Sequence, residues 1–89
     1  MIRKRMQIVN KLGLHARAAT KFVQLASQYQ SQIELSKNGK TANGKSIMGV
    51  MTLAAAKESW VELAISGPDE NEAMGSLEAL INNRFGEAQ

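Results

Sequence analysis

The chain has 89 residues, 44% of them hydrophobic, which suffices for a single two-layer core and a single domain over residues 1–89. It has no cysteine and one histidine, so a disulfide framework and a thiolate metal site are excluded, and neither a metal nor a cofactor site is expected. The net charge of +3 hides a polarity: residues 1–57 hold ten cations against Glu34 alone, a balance of +9, whereas residues 58–89 hold seven acids against Arg84, a balance of −6.

The start, Met1 to Met6, is basic but has no apolar run behind it, and no segment approaches the ~20 apolar residues of a membrane span. A cytoplasmic protein without membrane insertion is expected. Ile2, Met6 and Ile8 share one parity, with Lys4 as the exception, and predict a half-buried first strand. Ala19, Phe22, Val23 and Ala26 then form the apolar stripe of a helix from Ala16 to Gln28. Ile33 and Leu35 mark a second strand, and Asn38-Gly39 is a two-residue hairpin signal that pairs it with a third strand over Lys40 to Asn43.

Ser46 is placed to cap a short helix from Ile47 to Leu53. Val61, Leu63 and Ile65 alternate as a fourth strand, beginning near Trp60, which is expected to pack. Gly67-Pro68 turns the chain, and Asp69 with Glu72 reads as a capping box opening a last helix with the stripe Ala73, Leu77, Leu80 and Ile81. The order β-α-β-β-α-β-α with amphipathic strands predicts an α+β open-faced sandwich, in which a four-stranded antiparallel sheet is covered on one face by three helices.

The chemistry concentrates at His15, in Asn10-Lys11-Leu12-Gly13-Leu14-His15-Ala16-Arg17-Ala18-Ala19, which reads as a strand end, a glycine turn and a helix start. A neutral imidazole is a nucleophile. A helix N-terminus offers unpaired N–H groups and the positive end of its dipole to an anion, and Arg17 adds a planar donor fork suited to phosphoryl oxygens. A lone histidine at a helix start is more often a cap or a surface residue, so spacing alone leaves both readings open.

The stretch from Asn10 to Ala19, together with Gly44-Lys45-Ser46-Ile47-Met48-Gly49-Val50-Met51, resembles the histidine-containing phosphocarrier (HPr) family of the bacterial phosphotransferase system. The two motifs agree with that family in order and separation. The resemblance implies that His15 accepts a phosphoryl group on Nδ1 from a phosphohistidine of enzyme I, itself charged by phosphoenolpyruvate. It further implies delivery to an enzyme IIA-type acceptor, by a carrier that is not itself an enzyme.

On that basis the N–H groups of Ala16 and Arg17 are expected to face the phosphoryl oxygens, with Ala18 as a further donor. Many family members carry proline where this chain has Ala18; with Lys11-Leu12-Gly13-Leu14 before it, this leans towards the nitrogen-related (NPr-like) branch over sugar transport. His15 is expected to be exposed for handover, on one basic face with Arg17, Lys21 and Lys45. Met48, with Ile47 and Met51 partly buried, is expected to form an apolar docking patch beside it, rimmed by Thr20, Lys21 and Gln24. Ser46 matches the serine that a dedicated ATP-dependent kinase phosphorylates in some members, so a kinase or phosphorylase acting on it is a further expected partner.

A second reading is an interaction module whose phosphorylation state controls partner binding without carrying flux. A small basic RNA-binding domain would suit the +9 half, but the strands lack stacking pairs of aromatics, so no nucleic acid is expected. Nothing in the composition demands an oligomer, and a monomer is expected.

Overall fold

Alternation of side chains along each strand sets the two faces of the sheet. The computed structural model describes all residues from Met1 to Gln89. Strands β1 (Ile2–Gln7), β2 (Gln32–Lys37), β3 (Lys40–Asn43) and β4 (Trp60–Ser66) form one antiparallel sheet in the order β1-β4-β2-β3. Helices α1 (Ala16–Ala26), α2 (Ile47–Thr52) and α3 (Glu70–Asn82) follow the predicted chain order, and a 3₁₀ turn, Arg84–Gly86, comes after them. The α+β open-faced sandwich read from the sequence is the observed fold.

Register puts Met6 opposite Val61, Ile33 opposite Ile65 and Leu35 opposite Leu63, so one face is buried beneath the helices. Lys4, the parity exception, stands opposite Leu63 on this covered side. Its stem runs out at the sheet edge and its Nζ lies 2.5 Å from Glu78 Oε2 on α3, which is how the edge position tolerates a charge. The other face is open and carries Arg3, Arg5 and Trp60. Trp60 is exposed rather than packed, with the Arg5 guanidinium 5.1 Å above its ring centre.

Asn38 and Gly39 both take positive φ, 50° and 83°, the type I′ geometry that matches the twist of β2 and β3. Helix α1 buries Ala18, Ala19, Phe22, Val23 and Ala26 as its spacing predicts, and ends at Ala26 with Ser27 as its C-cap, short of the expected Gln28. In α3 the buried stripe is Ala73, Met74, Leu77 and Ile81; Leu80 is only partly buried, and Met74 completes the core.

The capping box expected at Asp69 and Glu72 does not form. The Asp69 carboxylate instead accepts from the Gln30 N–H at 2.9 Å and the Ser31 N–H at 3.0 Å, stapling the end of α1 to the start of α3, while Glu70 Oε1 accepts from the Gly67 N–H at 3.2 Å. A tertiary anchor has taken the side chain that a local cap would use.

After α3 the chain doubles back through two left-handed residues, Arg84 at φ 55° and Phe85 at φ 54°. At about 1 kcal/mol each this turn is unfavourable, but Phe85 is fully buried, and burying a phenyl ring contributes up to about 3 kcal/mol. The ring holds the turn, and the turn sends residues 86–89 back over the N-terminus of α1.

Candidate functional site

The loop from β1 to α1 is built by close approach. Gly13 has φ +66°, and a Cβ there would lie 2.3 Å from the Ala55 carbonyl oxygen, so only glycine lets the loop press against the segment after α2. The neighbouring Leu14 N–H donates to that same Ala55 oxygen at 2.8 Å and its side chain is buried. From the other side, fully buried Asn10 donates through Nδ2 to the Gly13 carbonyl at 2.8 Å. Asn10 Oδ1 is buried without a partner, which marks this side chain as held for its donor end.

This loop delivers His15 to the N-cap of α1 with extended backbone, φ −75° and ψ 178°. Its carbonyl accepts from the Ala19 N–H at 2.8 Å, but its imidazole does not cap the helix. The first-turn donors therefore have no side-chain partner and point where the helix dipole favours negative charge. Ala16 and Arg17 are exposed there. Ala18, offered by the sequence as a further phosphate donor, is fully buried, so its N–H has no open path to a ligand in this conformation.

An open groove of about 550 Å³ adjoins the helix start, lined by Lys11, Arg17 and Lys21 on one side and residues 86–89 on the other. The tail is tied down at several points: Lys21 Nζ donates to the Phe85 carbonyl at 2.7 Å, and the Lys11 N–H donates to the Gln89 carbonyl at 3.0 Å. Between these ties Glu87 reaches inward. Its Oε1 accepts from Asn10 Nδ2 at 3.1 Å and its Oε2 lies 2.5 Å from His15 Nε2.

Burial works to raise the Glu87 carboxyl, but hydrogen bonds from His15 and Asn10, with the charges of His15 and Lys21, outweigh it and hold it below the usual glutamate value. An ionised Glu87 can only accept, so the His15 tautomer that suits this contact is the one with hydrogen on Nε2. In the neutral ring Nδ1 is then the bare nitrogen. The His15 side chain is 26% exposed rather than freely exposed, because the returning tail covers its Nε2 edge. The sequence reading missed Glu87; the signal available was a phenylalanine and a glycine just past a helix end, an anchor and a turn that bring the next side chain back.

Other predicted residues separate into two groups. Lys45 is not beside His15: its Nζ donates to the Tyr29 carbonyl at 2.6 Å, beyond the far end of α1. Because Ala55 touches the His15 loop while Lys45 touches Tyr29, α2 runs alongside α1 with its end towards His15 and its start away from it. Ser46 caps α2 as expected, its Oγ accepting from the Gly49 N–H at 3.1 Å, and so stands at the end of α2 remote from the histidine.

Met48 is 73% exposed and Ile47, expected to be partly buried, is 39% exposed, while Met51 packs partly against the core. Leu12, on the loop before His15, is a further exposed apolar residue, which the sequence reading did not select. Thr20 turns its hydroxyl to the Ala16 carbonyl at 2.8 Å, Gln24 is exposed, and Lys21 is committed to the tail.

A single nucleophilic histidine at an anion-binding helix start, in an open sandwich of this topology, is the arrangement of a phosphocarrier rather than of an enzyme. Residues 2–83 match the family model for the PTS HPr component phosphorylation site, and the chain belongs to the HPr family of phosphocarriers of the phosphotransferase system. It is 55% identical over 89 residues to phosphocarrier protein HPr of Cupriavidus necator, with the whole of both chains covered. Among solved structures, an HPr from Thermoanaerobacter tengcongensis superposes with a TM-score of 0.96 at 46% identity over the whole of both chains. An HPr dimer from the same organism gives 0.79 at 47% identity, covering 98% of this chain and 100% of that one. Glu87 lies beyond the span that the family model matches.

Proposed function

We propose that His15 is the phosphoryl carrier of this chain and that Nδ1 is the atom that bears the group. The observation that supports this reading is the engagement of Nε2 by Glu87, which leaves Nδ1 as the nucleophile beside the uncapped start of α1. The phosphoryl oxygens would meet the N–H groups of Ala16 and Arg17 and the Arg17 guanidinium, a few donors that hold the group without enclosing it.

The donor in this reading is phospho-enzyme I, charged by phosphoenolpyruvate, and the acceptor is an enzyme IIA-type protein, all in the cytoplasm. The docking surface is the apolar patch of Ile47, Met48 and Met51 with Thr20, Lys21 and Gln24 at its rim. The chain acts as a monomer, since a partner must reach both the patch and the helix start. A phosphate on Ser46 would gain from the N-terminus of α2 yet add two negative charges to the docking face, which makes it a brake on partner binding. The acceptor decides between sugar transport and nitrogen-type regulation, and discharge to an acceptor of each kind distinguishes them.

The test is incubation with enzyme I and phosphoenolpyruvate, followed by intact mass under neutral conditions. An added phosphoryl group that disappears on acidification and is absent in His15→Ala is the expected result. No adduct on a folded chain with active enzyme I would leave a domain that uses this fold for binding alone.

A further inference from the structure

We propose that Glu87 is a positioning residue that keeps Nε2 of His15 protonated throughout the transfer cycle, so that the phosphoryl group leaves from an imidazolium. The proposal rests on the reading that His15 carries the group at Nδ1. It goes beyond that reading by assigning the leaving-group chemistry to a side chain 72 residues away.

On charging, the Nδ1 lone pair attacks phosphorus, the donor's N–P bond breaks, and its electron pair returns to the donor nitrogen. The ring now bears phosphorus on Nδ1 and hydrogen on Nε2, and it is a cation. On discharge, a lone pair of the acceptor forms the new bond, and the Nδ1–P pair returns to Nδ1. The product is neutral imidazole with the proton still on Nε2, ready for another cycle. If Nε2 had lost its proton, the departing group would be an imidazolate anion, a far poorer leaving group. The phosphorylated ring therefore transfers well only while Nε2 stays protonated.

Nearby cations oppose that proton, while the negative charge of the phosphoryl group favours it. Lys11 comes from the loop before α1, and Arg17 and Lys21 from α1, and all three line the groove; Glu87 carries the only acidic side chain among the lining residues. Its carboxylate is 13% exposed and fixed by Asn10 through the other oxygen, so its field at Nε2 is weakly screened. The ties from Lys21 to Phe85 and from Lys11 to Gln89 place it from both sides. The helix start and Arg17 then serve the phosphoryl oxygens, while Glu87 serves the ring.

The experiment compares the parent with Glu87→Gln, Glu87→Asp and Glu87→Ala. Each is charged by enzyme I and phosphoenolpyruvate, and discharge to imidazole buffer and to an enzyme IIA is followed from pH 5 to 9. Nitrogen-15 NMR of the phosphorylated ring reports the Nε2 proton directly. In Glu87→Gln and Glu87→Ala, the pH at which discharge falls off and Nε2 loses its proton should drop by about one unit, slowing discharge roughly tenfold on the alkaline side, with partial recovery in Glu87→Asp. Identical pH profiles in all four proteins, or a loss of rate at every pH without a displaced profile, would overturn the proposal and leave Glu87 a tail anchor. Absence of any acid-labile adduct on His15 of the parent would instead sink the carrier reading, and this proposal with it.

Discussion

The Lys21 ammonium donates to the Phe85 carbonyl across 2.7 Å, so one side chain from the second turn of α1 holds the turn that brings Glu87 to His15. Lys21→Met keeps the apolar stem and removes the donor. Because Phe85 stays buried, the fold should survive at a cost of about 1 kcal/mol, or roughly 4–8 °C in Tm for a domain of this size. The local effect should exceed the global one: amide exchange at Gly86 and Glu87 should accelerate while β2 and β4 stay protected. Equal loss of protection in strands and tail would show that the tie does not act locally.

Gly13→Ala should be much more damaging. The new Cβ would meet backbone on two sides, the Ala55 oxygen at 2.3 Å and the Ala56 Cα at 2.9 Å, in a left-handed conformation. Neither neighbour is the end of a flexible side chain. The expected loss is about 2–4 kcal/mol by urea unfolding, accompanied by slower charging of His15 because the loop must lift away from Ala55. A stable variant with an unchanged charging rate would contradict the close-packed loop.

Acid sensitivity should trace to Asp69. The Ser31 hydroxyl and the Gln30 N–H hold its carboxyl below the ordinary aspartate value. A carboxyl lowered on folding binds fewer protons in the folded state than in the unfolded one. Its stabilisation is therefore present above the unfolded value and is lost as pH falls through the folded one. Asp69→Asn should be less stable than the parent at pH 7, and the gap should close below about pH 4. A gap that persists unchanged into acid would mean that the ionised form is not what staples α1 to α3.

Met48→Glu tests the docking patch. Met48 is 73% exposed, so stability should change by no more than about 0.5 kcal/mol. Charging by phospho-enzyme I should slow by about tenfold or more, the scale of a lost interface anchor. A variant charged at the parental rate would remove Met48 from the interface.

What the sequence made legible was whatever local geometry dictates. Asn38-Gly39 fixes the hairpin because a type I′ turn needs positive φ at both positions, and Phe22 with Val23 and Ala26 fixes a helix face by spacing alone. His15 at the helix start belongs to the same class. The misses share a different cause. Asp69 reads as a local cap because nothing nearby reveals that Gln30 and Ser31 arrive from the turn between α1 and β2. Lys45 reads as part of the basic face because net charge carries no direction, whereas the fold sends it to Tyr29. Glu87 carries no local signal because its partners, Asn10 and His15, stand at the far end of the chain.

That distance has a temporal meaning. During synthesis His15 emerges early, within a segment able to begin a helix, but the Ala55 carbonyl that seats its loop and the carboxylate that meets its ring emerge much later. A nascent or half-folded chain displays the histidine without the surroundings that make it useful. The seated loop and the paired ring of His15 are therefore features of the finished fold alone.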